Sequence, residues 1–221
     1  FGPNSDVKVE AGVFLSPIGP ENMAIKDQWT LSRSNLFFAF PFFHLGVRMI
    51  VPAGENTNVT VGAYNGWDSI LDKNDQKTIN VAVHHIFSNE VELDAQYFAG
   101  VERERGAAEG APIRHLLDVW VKFHIHPRVQ ILLDFDGGFE NGEMGMSSWL
   151  SGGVWTRWHL ASEVYLATQS DFLTETRGNT DSKTASYIFF PTDWVSSHAL
   201  CLEKRFGDFA AAKIEVRHDS A

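Results

Sequence analysis

The chain has almost no cysteine, no long apolar run and no excess of positive charge, and each lack removes a class of protein. Cys201 is the only cysteine among 221 residues, so no disulfide can form within the chain. No apolar run approaches the ~20 residues a transmembrane helix needs. That excludes a helical membrane protein but leaves a barrel open, because a barrel's signal is weak per segment. Lys and Arg number 18 against 28 Asp and Glu, a formal charge of −10 that argues against a nucleic-acid partner. No charged-then-apolar secretory leader opens the chain at Phe1-Gly2-Pro3. No Gly-x-Ser-x-Gly elbow is present, and neither a second domain nor a linker nor a low-complexity tract shows.

Aromatics are abundant, at 13% with seven Trp and seventeen Phe, as in proteins with interfacial aromatic belts. The second abundance is alternation, clearest in Leu116–Glu140. Leu117, Val119, Val121, Phe123 and Ile125 interleave with Asp118, Trp120, Lys122 and His124. After His126-Pro127-Arg128 the pattern restarts, Val129, Ile131, Leu133 and Phe135 against Gln130, Leu132, Asp134 and Asp136. Period two means strands with one apolar and one polar face, and the short Pro-containing break predicts an antiparallel hairpin. Ten residues rise roughly 33 Å, and a tilt near 45° brings that to about 24 Å, close to the apolar thickness of a bilayer.

Further strands are expected over 7–14, 42–51, 59–67, 78–86, 91–101, 149–158, 163–168, 196–206 and 210–217. Short breaks near Gly54, Asn89, Pro127, Ala161 and Asp208 alternate with long ones around residues 15–35, 68–75, 102–113, 139–147 and 171–193. The expected architecture is all-β: a meander of about eleven antiparallel strands in one domain over 1–221, with short turns at one end and long loops at the other. An up-and-down transmembrane barrel is built this way, whereas a Greek-key sandwich mixes loop lengths.

Alternation does not say which face meets water. In a sandwich the apolar face is core; in a membrane barrel it meets lipid. Phe42, Trp67, Tyr97, Phe139, Trp149, Trp158, Phe189, Phe190, Trp194, Phe206 and Phe209 fall near strand ends, as girdle residues do. Under the barrel reading the polar face lines a lumen. The expected lining residues are Arg48, Glu92, Asp94, Asp118, Lys122, Asp134, Asp136, Arg157, Glu163, Glu203, Arg205, Lys213, Glu215 and Arg217. A one-residue slip would put Lys122 or Arg205 into lipid, at roughly 2–4 kcal/mol each near the midplane.

Other chemistry is weighed against plainer readings. Asp134 and Asp136 share a face about 7 Å apart along the strand and could act as acid and base or hold Ca²⁺, but a lumen-lining or surface role is the simpler expectation. His124 and His126 share a face, His84 and His85 do not, and a metal would need further ligands. No metal or cofactor is expected. Glu102-Arg103-Glu104-Arg105 reads as a solvated loop, and Gly152-Gly153 as a bend or a close packing point.

Ser16-Pro17-Ile18-Gly19-Pro20-Glu21, Ser32-Arg33-Ser34, residues 41–48 (PFFHLGVR), residues 61–68 (VGAYNGWD) and Asp72-Lys73-Asn74 form a run of motifs over about residues 10–80. In combination they resemble the OmpL-like outer-membrane β-barrel porins, and Ile214–Asp219 looks like a late strand of such porins. The resemblance implies a Gram-negative outer-membrane pore, with no catalytic residues to carry over. Such porins usually have a leader, more strands before the Pro-Ile-Gly-Pro-Glu region and a terminal aromatic strand. The chain is therefore expected to be part of a larger barrel, of sixteen or so strands.

The leading functional expectation is passive diffusion of small polar solutes or ions, with lipid around the wall, homo-oligomers compatible, and a mild cation preference. The other readings are a soluble or surface-displayed β-sandwich for binding or structure, and an outer-membrane lipid hydrolase.

Overall fold

Leu117 and Asp118 are neighbours in sequence and opposites in space: Leu117 is 45% exposed and Asp118 is 0% exposed. A computed structural model of the chain describes residues 6–180 and 182–221, and in it this inversion recurs along the sheet. Leu133 and Phe135 are exposed on either side of buried Asp134, and Leu200 and Leu202 flank Cys201 and precede buried Glu203. In a water-soluble sandwich the hydrophobic effect would drive the first set inward. The wall is inside out.

The strands are β1 (Lys8–Leu15), β2 (Phe43–Pro52), β3 (Thr57–Tyr64), β4 (Thr78–Ser88), β5 (Val91–Val101), β6 (Ile113–His126) and β7 (Val129–Gly142). They continue as β8 (Gly145–Ala161), β9 (Val164–Thr176), β10 (Asn179–Thr180), β11 (Lys183–Thr184), β12 (Trp194–Phe206) and β13 (Ala210–Ser220). Eleven form one antiparallel meander, β1-β2-β3-β4-β5-β6-β7-β8-β9-β12-β13, while β10 and β11 make a small hairpin inside the long loop between β9 and β12. β1 and β13 are the sheet's edges. Among the described residues no helix is long and apolar enough to cross a membrane.

Two expected loops are strand instead. Residues 139–147 are not a long loop: β7 and β8 pair to Gly142↔Gly145 and turn through Glu143-Met144 alone. β9 likewise runs on to Thr176, so Asp171 and Glu175 are wall residues. At 139–147 Gly, Asn, Ser and Glu are poor β formers and cross-strand pairing overrides local propensity, whereas at 169–176 the alternation itself carries the strand on. The other connections keep the expected lengths and ends.

The interior is filled, and the filling is residues 16–42. Ser16 N–H donates to the Phe42 carbonyl at 2.9 Å, so this long connection leaves and rejoins the wall at one place. Between those points lie a 3₁₀ turn (Ile25–Asp27) and a short helix α1 (Asn35–Ala39), whose cap Ser34 accepts from Phe37 N–H at 3.1 Å. Ile18, Leu36 and Phe40 of this segment pack with Tyr64, Phe98, Leu116, Trp149, Trp155, Leu173 and Val195 from the inner faces of six strands. Inward-facing glycines make room for the largest of these side chains: a Cβ at Gly62 or Gly153 would collide with Tyr64 or Trp155, two residues along the same face. Gly153 therefore marks close packing.

The aromatic girdle is thinner than expected. Tyr97, Phe139, Trp194, Phe206 and Phe209 are exposed on the outer face or in turns. Trp149 is core, and Trp67, Phe189 and Phe190 pack against it. Phe189 meets Phe40, Trp67 and Trp149 at ring-centroid distances of 5.5, 6.4 and 5.1 Å. These rings close over the long-loop end from inside.

Candidate functional site

The polar inner face and the segment folded against it are the site. All expected lining residues except Glu163 occupy inward positions of their strands, which the alternation of buried and exposed residues sets. Glu163 lies in the turn between β8 and β9 with φ of 61°, exposed, 3.8 Å from Lys204.

The inward residues fall into separate groups. Arg48 pairs with Glu10 at 2.7 Å and covers the Phe14 ring at 4.3 Å. Glu92 and Asp94 sit 3.6 and 3.4 Å from the two nitrogens of His84, and Lys122 is 4.0 Å from Glu92. Arg157 and Arg205 both reach buried Glu203, at 2.7 and 2.9 Å, and both lie over the Tyr165 ring. Lys213, Glu215 and Arg217 of β13 grip the segment. Lys213 donates to the carbonyls of Gln28 and Thr30 at 2.6 and 3.2 Å, and Glu215 accepts from the N–H groups of Leu31 and Ser32 at 2.6 and 3.0 Å. Arg217 reaches Ser32 Oγ at 3.1 Å and the Arg33 carbonyl.

Asp118, Asp134 and Asp136 form the remaining group, and they are not wetted by an open lumen. They are buried beneath the segment: Gly19 N–H donates to Asp118 Oδ2 at 2.9 Å. Gln96 Nε2 bridges the same oxygen and the Pro17 carbonyl, each at 2.6 Å. The sheet register sets Asp118 directly opposite Asp136.

Several residues that hold the segment were not expected from the sequence. Gln169 Oε1 accepts from Thr30 Oγ1 at 2.9 Å and from Trp155 Nε1 at 3.1 Å, while Asp171 accepts from Asn35 N–H at 3.3 Å. Gln169, Asp171, Leu173 and Glu175 do alternate with Ser170, Phe172 and Thr174, a signal that the early end assigned to this strand hid. Glu140 was hidden the same way; it accepts from Arg103 and Arg114 at 2.7 and 2.9 Å. Glu21, within the segment, bonds Ser34 N–H at 3.1 Å and the Ser34 hydroxyl, and burial pushes its carboxyl up to about 7. No period marks it, because it lies in irregular chain.

Space remains beside the segment. A cleft of about 470 Å³ lies between residues 25–31 and the end of the sheet at Arg205, Phe209 and Lys213. A smaller one of about 110 Å³ is lined by Glu21, Trp29, Lys122 and Trp155.

The family model described as "Putative beta-barrel porin-2, OmpL-like" matches residues 1–221. Among solved structures, the chain is similar in fold to the outer-membrane expressed OmpT of Vibrio cholerae, with a TM-score of 0.63 and 12% identity over 96% of this chain and 66% of that one. It is similar also to the outer membrane channel DcaP of Acinetobacter baumannii, with a TM-score of 0.65 and 11% identity over 96% of this chain and 64% of that one. The chain thus spans about two thirds of the length of either. No curated protein matches it. An inside-out meander and a family match along the whole sequence agree, and the chain belongs to the OmpL-like β-barrel porins of the Gram-negative outer membrane.

Proposed function

We propose that the chain forms the wall of a passive pore for small polar solutes or ions, narrowed by residues 16–42. The observation that carries this reading is the exposure of Leu117 beside the complete burial of Asp118, repeated along the sheet: the wall is built for lipid outside and polar contents inside. Nothing in such a pore needs a reacting group; selection comes from width and from the charges along the path.

The path in this reading runs beside the segment, through the clefts that Lys122, Arg205 and Lys213 help to line. Asp118, Asp134 and Asp136 lie behind the segment, so their charge reaches permeating ions only weakly. The mild cation preference is then set by the acids nearer water, Glu92 and Asp94 among them. Two sheet edges do not suit a bilayer, and bacterial barrels close with even strand numbers. The reading therefore includes further strands joining β1 to β13.

The test is conductance. The protein as expressed in its outer membrane, purified and reconstituted in planar bilayers, is expected to give ohmic steps. Deleting residues 22–33, which removes the inward fold but keeps both ends of the connection, should raise the step size. Absence of any conductance from either form would overturn the pore; equal steps from both would remove the segment from the path.

A further inference from the structure

We propose that Asp118, Asp134 and Asp136 bind a hard divalent cation, Ca²⁺ by its chemistry, which pins residues 16–42 to the wall. The site stands on its own geometry, whether or not the pore conducts.

One oxygen from each of the three carboxylates lies within 4.8 Å of the others. Ca²⁺ takes oxygen ligands at about 2.3–2.6 Å, so two bonds across one ion span about that distance. All three residues are buried, at 0, 6 and 0% exposure. Each also carries an Oδ1 that meets neither solvent nor any hydrogen-bond donor. An unpartnered buried carboxylate oxygen is costly, and three converging in one place are more so.

Protein cations do not meet the need. Among the described residues no Lys, Arg or His comes within 4.0 Å of the three carboxylates. Arg114 is taken by Glu140 and Lys122 is turned to Glu92. Like charges directly across an antiparallel pair repel, and Asp118 faces Asp136. Elsewhere on the inner face the chain supplies arginines freely, so the gap is local.

In two of the three the second oxygen is already held. Asp118 Oδ2 accepts from Gly19 N–H and Gln96 Nε2, and Asp136 Oδ2 accepts from Ser151 Oγ at 3.2 Å. Donors that fix one oxygen and leave the other open are how outer-shell groups orient metal ligands. The donor set is all oxygen with no thiolate or imidazole, which selects Ca²⁺ or Mg²⁺ over Zn²⁺. With about six to eight ligands in all, roughly three to five positions remain for water or backbone carbonyls, and a count above six needs the larger ion. Because Asp118 also receives Gly19, the bound ion would lock the first turn of the segment.

The experiment uses the intact protein in detergent, stripped with a chelator and titrated with CaCl₂ alone by calorimetry at pH 7.5. One saturable site is expected in the wild type. It should weaken more than about tenfold in Asp134→Asn/Asp136→Asn and stay unchanged in Glu92→Gln, an acid on the same wall outside the trio. Tb³⁺ luminescence lifetimes in H₂O and D₂O give a readout that needs no variant. Trp120, register partner of Asp134, is a sensitiser beside the site. An ion held in this cage should have given up at least three of its waters, one to each carboxylate. No saturable site, a site indifferent to the double substitution, or a Tb³⁺ ion that keeps its full shell of waters would each overturn the proposal, leaving protons to neutralise the trio.

Discussion

Two walls of the same sheet handle buried charge in opposite ways. On β8 and β12, buried Glu203 sits between Arg157 and Arg205, at 2.7 and 2.9 Å, so its charge has partners within the protein. On β6 and β7, Asp118, Asp134 and Asp136 converge, and among the described residues no Lys, Arg or His lies within 4.0 Å of them. Both walls obey the same alternation, and both put ionisable groups on the inner face. Polar-in therefore says nothing about whether the charge is balanced. Balance is a property of register and of which strands are neighbours, and it separates a self-sufficient wall from one that needs something added.

The sharpest way to break the comparison is to unbalance the balanced wall. Replacing Glu203 by Gln leaves Arg157 buried without its carboxylate, and removing one partner of a buried pair costs about 3–5 kcal/mol. The expected result is a marked drop in the denaturant midpoint with unchanged slope. On the acidic wall the same kind of change should act the other way. Two charges 4.8 Å apart repel by about 3 kcal/mol at an effective dielectric constant of 20, so Asp136→Asn in chelator should stabilise the protein by up to about that much. In excess Ca²⁺ the gain should vanish or reverse. A loss of stability in chelator would mean that the trio is not strained and that the two walls do not differ as argued.

How much of this was legible beforehand divides along the same line. Leu117 against Asp118 was readable, because period-two alternation is local and the strand needs no partner to show it. The meander followed from loop lengths. What could not be read was the content of the lumen. Residues 16–42 have no period, and their place inside is fixed by hydrogen bonds with Gln96, Gln169, Asp171, Glu215 and Arg217, contacts 79 to 185 residues apart in sequence. The trio was half seen: Asp134 and Asp136 stand two apart, but Asp118 joins them only through the β6–β7 register. Glu140 was lost because a strand rich in Gly, Asn and acid looks like a loop until its neighbour is known, and Asp171 because its alternation lies beyond the end first given to its strand.

The segment brings one more acid to the unbalanced side, and it offers a gentler test. Glu21 lies half-buried near Asp134 and Asp171, with Arg33 the cation that acts on it, and desolvation pushes its carboxyl up to about 7. An acid whose folded value exceeds its ordinary one, about 4.5, holds its proton in the folded state first. Its contribution is fully present below about 4.5 and is lost as pH rises through about 7. The segment should therefore sit most firmly at acid pH and loosen above neutrality. Step conductance is expected to rise from pH 5 to pH 8, and Glu21→Gln should flatten that rise while keeping the low-pH value. A pH dependence untouched by this substitution would shift the response to another group.

Glu163 supplies the smallest expected effect and the cleanest control. It was expected to line the lumen, yet it lies in a turn, exposed, with only a 3.8 Å approach to Lys204 and a long 3.3 Å acceptance from Gly207 N–H. Surface pairs of this kind contribute about 0–1 kcal/mol. Its backbone adds a second term of opposite sign. At φ of 61° glycine is at ease and other residues are not, so Glu163→Gly should offset the lost contacts and leave stability within about 0.5 kcal/mol of wild type. Glu163→Ala has no such relief and should fall slightly lower. Neither should alter ion selectivity, since the charge lies outside both clefts. If Glu163→Gly changed selectivity as much as a substitution at Arg205, the turn would belong to the permeation path and the boundary between wall and mouth would need to be redrawn.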